Sequence, residues 1–334
     1  MVTSSASRVI SALRLPLMVG VIFMHSKLSS EGTPILDCLV KIFTLILPKF
    51  CVPLFLVFSG YLFFGTSNTF TRTDYIRKIK KRGRTLLIPY MIWNFFTIVV
   101  FWCIHHFTPS LINPDFENIA IFSPQRLLNC FWKGSGGLPI AYQFWFIRDL
   151  MIIMLLSPIV YGLVRKTPIG IIILTFVYFL SSHFTVLYFF SLGAYFALQN
   201  IDFVSQVRKI LKYAAIIATI TFIIRVVNDS IIVVEKIYIL SSMVSAIALT
   251  DKYIDKIILP KYVTDSSFFL FCYHNLPILF LIKIGSGILS GRSEVLWIVD
   301  FFLNPLIVII LGILLYKVLS KSMPRFLSII TGGR

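Results

Sequence analysis

The chain is poor in charge. Only 13% of its 334 residues are Asp, Glu, Lys or Arg, about half of the ~25% carried by a soluble globular domain. A chain of this length builds a sizeable core, but so few charges do not coat that core in water, so a soluble domain is excluded. Cysteine is sparse as well: Cys38, Cys51, Cys103, Cys130 and Cys272 are scattered. None of them forms a CxxC pair, so neither a zinc site nor a disulfide framework is supported. No H-x-x-x-D/H set is present, and no metal is expected. What the chain has in excess is apolar surface, 57% hydrophobic residues and a mean hydropathy of +0.89. This is the composition of an all-α polytopic membrane bundle.

A helix needs roughly 20 mostly apolar residues to cross the hydrocarbon core. Hydropathy predicts about ten such spans, near 9–25, 39–64, 86–107, 140–163, 168–182, 184–199, 210–227, 231–249, 267–286 and 295–319. Only Ser181-Ser182-His183 separates the fifth from the sixth. Acidic residues number 14 against 31 basic ones, a formal charge of +17. In a soluble protein that surplus points to nucleic acid; here it is read as a topology signal, and no nucleic-acid partner is expected. With the N-terminus in the cytoplasm, 20 of the 31 basic residues fall on inward segments, seven of them between Arg72 and Arg84. Outward segments hold Lys27, Lys41, Arg126, Lys133 and Arg292. The expectation is therefore a multi-pass protein of the cell (inner) membrane with both termini cytoplasmic. Residues 1–334 form one transmembrane domain, with no separate soluble domain, no internal repeat and no cleavable leader. The longest outward loop, about 108–139, with Gly134-Ser135-Gly136-Gly137, is short enough to be a lid or a rim.

Ionisable side chains within spans cost a few kcal/mol each and face a cavity or a partner. This chain carries Arg14, His25, Lys49, Arg148, Asp149, Arg225, His274, Lys283 and Asp300 in or at the ends of its spans. Arg225, Lys283 and Asp300 lie near span ends, where snorkelling to the interface is expected. Arg148 and Asp149 point about 100° apart on a helix and need not pair with each other; a structural ion pair with other helices and a substrate role are both open. Arg14 and His25 are more specific. Eleven residues carry the helix only about 20° beyond three full turns, so both lie on one stripe, separated by about 16 Å along the axis. Such a stripe implies a polar path through the bundle.

These residues resemble a known family. Arg14 and His25 are similar to the R-x10-H feature in the first helix of the acyltransferase-3 family of membrane acyltransferases. Val52-Pro53-Leu54-Phe55-Leu56-Val57-Phe58-Ser59-Gly60-Tyr61-Leu62 resembles its V-P-L-F-F-x-x-S-G-Y-L stretch. Lys80-Lys81-Arg82-Gly83-Arg84-Thr85-Leu86-Leu87-Ile88-Pro89-Tyr90 resembles its R-x-x-R-L-L-x-P-Y segment. Trp145-Phe146-Ile147-Arg148-Asp149-Leu150 and Ser267-Phe268-Phe269-Leu270-Phe271-Cys272-Tyr273-His274 follow in the family's order. The departure is at the second arginine of R-x-x-R, where Thr85 stands if Arg82 is the first; Arg84 is then the compensating cation. The soluble esterase-like domain of some relatives has no counterpart here.

The resemblance implies an acyl-CoA donor, acetyl-CoA first among them, a carbohydrate or glycolipid acceptor, and an O-acyl ester as product, with no bound cofactor. On that reading His25 is the catalytic residue. It acts as general base on the acceptor hydroxyl or, by direct attack on the thioester, as a transient acyl carrier. Arg14, Arg82, Arg84, Trp145, Arg148, Asp149 and His274 are the substrate-binding candidates. For Arg14 the plain alternative is a topology anchor, and for Arg82 and Arg84 a basic cytoplasmic loop. His274 forms either a second polar wall or a packed histidine bonded to its neighbours. Ser59-Gly60 reads as a packing site rather than a nucleophile. His105, His106 and His183 read as interfacial. The competing function is a transporter or flippase that uses the same polar path without acyl chemistry.

Overall fold

A computed structural model describes residues 3–27, 33–66, 70–108, 124–133, 137–256 and 259–333. Among these residues the structure is helical throughout, with no strand. The helices are α1 (Ser4–Met24), α2 (Pro34–Phe64), α3 (Arg72–Phe107), α4 (Pro124–Trp132), α5 (Trp145–Leu155), α6 (Ser157–Val164), α7 (Ile169–Leu180) and α8 (Thr185–Leu198). They continue with α9 (Phe203–Val227), α10 (Ile232–Tyr253), α11 (Lys261–Asp265), α12 (Ser267–Tyr273), α13 (Asn275–Leu289), α14 (Glu294–Ser322) and α15 (Pro324–Thr331). The expected loop at 108–139 lies for most of its length outside the described residues.

Six helices are long and apolar enough to cross a bilayer: α1, α2, α3, α9, α14 and the stretch Ile232–Lys256 that contains α10. The number rises to eight if two bent pairs each count as one span. These are Tyr142–Leu155 with α6, bent by 64°, and α12 with α13, bent by 52°. The expected fifth and sixth spans exist as α7, of 12 residues, and α8, which are shorter than a full crossing. By helix length the count is thus six to eight against about ten from hydropathy. Hydropathy registers apolarity whether or not the helix is continuous, and Ser181 breaks this stretch with an extended backbone (φ −146°, ψ 135°).

Several helices are irregular for identifiable reasons. The basic segment expected as a loop at 72–84 is the start of α3. Thr71 caps it, accepting from the Asp74 amide at 3.1 Å while the Asp74 carboxylate accepts back from Thr71, a capping box. A π turn over Gly83–Leu87 follows, with the Ile88 amide bonded to the Gly83 carbonyl. A second π turn, Lys41–Ile46, and a 3-10 turn, Leu47–Phe50, interrupt α2 ahead of the packed segment Cys51–Phe64.

The tightest packing joins α2 to α8. A Cβ on Gly60 would sit 2.0 Å from the Phe190 carbonyl oxygen, and one on Gly193 would sit 1.9 Å from that of Val57. Only glycine permits this backbone approach, and Gly60 of the Ser59-Gly60 pair is where the packing falls. Around the crossing Phe63, Phe64, Phe189 and Phe190 are buried, each within 3% of full burial.

Ion pairs close both ends of the bundle. At one end Arg8 pairs with Asp255 and Arg208 with Asp251. At the other, Lys41 lies 3.2 Å from Asp229, Lys49 lies 3.5 Å from Glu235, and Arg225 bonds Glu235 at 2.9 Å. Arg225 does not snorkel as expected. It is 2% exposed and lies over the Tyr238 ring, because the α9–α10 hairpin turns it toward Glu235 rather than toward the interface. Lys283 is exposed, and half-buried Asp300 accepts a hydrogen bond from Asn304 at 2.9 Å.

Removing one partner of a buried pair strands the other charge, whereas replacing both with apolar groups is often neutral. Glu235→Ala, which strands buried Arg225 and frees the more exposed Lys49, is therefore expected to cost about 3 kcal/mol, read as a lowered thermal midpoint in detergent, and the double change Arg225→Met with Glu235→Leu to recover the part due to Arg225. Equal losses in the two variants would show that the Arg225–Glu235 charge pair is not what sets the cost.

Candidate active site

Helix α1 supplies two polar groups to one cavity of about 350 Å³. Arg14 lies within the helix, and His25 caps its C-terminal end, its amide bonding the Ile22 carbonyl at 3.1 Å. The stripe expected from the helical repeat therefore faces a shared space. Ser59 of α2, Arg82 of α3, Trp145 of α5 and Asp265 of α11 also line it. Arg14, Arg82 and Asp265 place two cations and one carboxylate in the cavity, Arg14 standing about three helical turns from His25 along α1.

The His25 ring is held from two sides. Its Nδ1 shares a 2.5 Å hydrogen bond with the Tyr142 hydroxyl, with the rings edge to face. The His274 ring lies 5.1 Å away, centroid to centroid. His274 occupies the break between α12 and α13, where the chain bends. Its Nδ1–H donates to the carbonyl oxygens of Leu270 at 3.0 Å and Phe271 at 2.9 Å. Carbonyls only accept, so neutral His274 keeps its lone pair on Nε2. That nitrogen is buried with no hydrogen-bond partner among the described residues. His274 is thus bonded to carbonyls of its own helix, rather than to Asn275 or a neighbouring helix, and lies tilted against His25 outside the lining of the cavity. Gln143, next to Tyr142, lines the cavity and donates through Nε2 to the Cys272 carbonyl at 3.3 Å.

The other candidates divide. Arg82 and Trp145 line the cavity. Arg84 does not: its side chain is exposed, so it does not stand in for the missing second arginine inside the cavity. Two residues apart on a helix, the two arginines point about 200° from one another, so only one faces the cavity. Arg148 and Asp149 also stay outside the lining. They pair with each other, Nε to Oδ1 at 2.9 Å, and Arg148 donates further to the carbonyls of Trp132 at 2.9 Å and Gly137 at 2.8 Å. A long guanidinium folds back onto its neighbour despite the 100° offset of their Cα–Cβ bonds, and the group anchors the chain after α4. His183 is exposed in a 3-10 turn, and His105 and His106 sit in the last turn of α3.

Sequence reasoning missed Tyr142, Gln143 and Asp265. Tyr142 stands three residues before Trp145 in an apolar run, which offers no signal. Asp265 had only a weak one: a carboxylate two residues before the Ser267–His274 stretch.

A family model described as an acyltransferase domain matches residues 9–319, nearly the whole chain. The chain belongs to the acyltransferase-3 family. The matched region contains Arg14, His25, Arg82, Tyr142, Trp145, Asp265 and His274. The chain is also similar to the succinoglycan biosynthesis protein ExoH of Rhizobium meliloti (strain 1021), with 26% identity over 236 residues. That alignment takes in 64% of this chain and 59% of the length of ExoH. No solved structure matches.

The geometry separates two arginines that sequence treats alike. Arg82→Ala is expected to raise the KM for the acyl donor about tenfold with a smaller change in kcat, the signature of lost uniform binding, and Arg84→Ala to raise it less than about threefold. Steady-state kinetics on purified protein in liposomes measure both; equal effects would show that facing the cavity does not matter.

Proposed function

We propose that this member of the acyltransferase-3 family moves an acetyl group from acetyl-CoA to a hydroxyl of a sugar, on a surface polysaccharide or glycolipid. The observation that carries the reading is the single cavity that holds Arg14 and Arg82 with His25. Its volume of about 350 Å³ is at the lower end of ligand pockets, which suits a thioester arm rather than a whole nucleotide. Arg72, Arg77, Lys80, Lys81 and Arg84 are exposed on the adjoining part of α3. They offer the donor's phosphates charge-assisted hydrogen bonds outside the cavity. Arg14 and Arg82 receive the neck of the donor, and the arm extends along α1 to His25. Trp145 packs against the arm. Arg148 and Asp149 act by holding the chain that follows α4, and His274 by closing the far side of the imidazole.

In the reaction, His25 Nδ1–H is donated to the Tyr142 hydroxyl, which leaves Nε2 as base. Nε2 takes the proton of the acceptor hydroxyl as its oxygen bonds to the thioester carbonyl carbon. The carbon–sulfur bond then breaks, and the departing thiolate takes the proton from His25. The acceptor leaves as the O-acyl ester and His25 returns neutral. Val21, Gln143, Trp145 and Phe146 line the cavity within a turn of His25 or Tyr142, and all are uncharged. A succinyl group would bring a carboxylate to this end, away from Arg14 and Arg82; acetyl meets no such cost.

The proposed orientation puts Arg82 and both termini in the cytoplasm of a multi-pass inner-membrane protein, with residues 1–334 as one unit. The exposed basic start of α3 and the Arg8–Asp255 and Arg208–Asp251 pairs support it. Succinoglycan in the name of the ExoH relative supports a glycan acceptor.

The test is transfer of label from radiolabelled acetyl-CoA to a candidate glycan by purified protein in liposomes. His25→Ala is expected to lower kcat by a factor on the order of 10² to 10⁴, the usual contribution of general base catalysis. Tyr142→Phe, which removes one hydrogen bond that orients the base, is expected to lower it about tenfold. Near-normal transfer by His25→Ala overturns the mechanism, and glycan movement without label transfer gives the protein to transport.

A further inference from the structure

The helix that carries Arg82 is braced from behind by α15. The π turn at Gly83–Leu87 widens one turn of α3 by a residue, which rotates everything before it by about 100° relative to a straight helix. That rotation decides whether Arg82 or a neighbour faces the cavity. A π turn is less favourable than the α-helix around it, so surrounding contacts must hold it.

The contact is present at Thr85, in the middle of the turn. Gly332 follows α15 in the left-handed conformation, φ +67°. A Cβ at Gly332 would lie 2.2 Å from the Thr85 carbonyl oxygen, 2.7 Å from its Cα and 2.8 Å from its carbonyl carbon. This is backbone against backbone, which no rotamer change relieves. Helix α15 is fixed in turn. The Trp93 indole Nε1–H donates to the Ile330 carbonyl at 3.0 Å, and Leu327 and Ile330 are buried with Phe269 of α12 and Tyr316 of α14. Phe269 belongs to the same short helix as Phe268 and Phe271, which line the cavity. One surface helix therefore backs two walls of the site.

We infer that α15 and its Gly332 cap are a positioning strut for Arg82, holding the π turn in register and so setting affinity for the anionic neck of the donor. The inference rests on the reading of Arg82 as a donor-binding residue. Gly332 touches neither cavity nor substrate; it acts through Thr85.

The test measures binding of CoA alone to the purified full chain by calorimetry, beside the thermal midpoint of each variant. Gly332→Ala is expected to weaken CoA about tenfold, and Trp93→Phe, a milder change that keeps the fold, about threefold. Gly333→Ala is the control: its φ of +75° carries a similar left-handed strain, but its Cβ would meet only Ser328 Oγ, at 3.7 Å. It is expected to bind within about twofold of wild type, since it leaves Thr85 untouched. In an Arg82→Ala background Gly332→Ala is expected to add nothing, because the residue it positions is gone. If Arg82→Ala weakens CoA but Gly332→Ala and Trp93→Phe do not, or if the Gly332 and Arg82 losses add, the strut is overturned while the donor site stands. If Arg82→Ala binds CoA normally, the donor reading falls and takes the strut with it.

Discussion

A polar group inside hydrocarbon must be given a partner or water, because leaving it bare costs several kcal/mol. In this chain that constraint sorts the ionisable residues into three fates. Arg225 is paired with Glu235 across a hairpin. Lys236 is buried, and its ammonium donates to the Tyr178 and Phe179 carbonyls at 2.6 and 3.2 Å, the unsatisfied C-terminal end of α7. Arg14, Arg82 and His25 line the cavity instead. Those that line the cavity are the ones that define the site.

The cavity is also where helical regularity fails. Arg82 immediately precedes a π turn, Tyr142 opens a 3-10 turn ahead of α5, and His274 stands at the break between α12 and α13. Inside a membrane, irregular backbone is tolerated where it lines a cavity or is buried in protein. Each departure also redirects a side chain that an unbroken helix would send elsewhere. The tightly crossed α2 and α8, with glycine against backbone carbonyl, form the opposite extreme: a dense region packed backbone to backbone.

The site is asymmetric, and the asymmetry matches the chemistry proposed for it. Arg14 and Arg82 stand toward one end, where the proposal brings in a phosphate-bearing donor, and uncharged lining side chains stand near the imidazole, where it places the thioester. Tyr142 and His274 flank that ring from separate helices, so its orientation is set by the bundle rather than by α1 alone.

Much was legible in sequence because it depends on composition or on one helix. Charge scarcity and apolar runs demand a membrane bundle. The 3.6-residue repeat puts Arg14 and His25 on one stripe, and five ordered motifs point to the family to which the chain belongs. What sequence left undecided depended on where a helix bends or which neighbour it meets. Hydropathy does not distinguish a full span from the short α7 and α8. Helical offset did not require the Arg148–Asp149 pair that a flexible guanidinium makes. The motif offered Arg82 and Arg84 equally, and only the packed bundle shows that Arg82 faces the cavity and Arg84 the outside. Local periodicity specifies directions only as far as the helix stays regular; past each break, the partners supplied by other helices decide, and those partners exist only in the folded bundle.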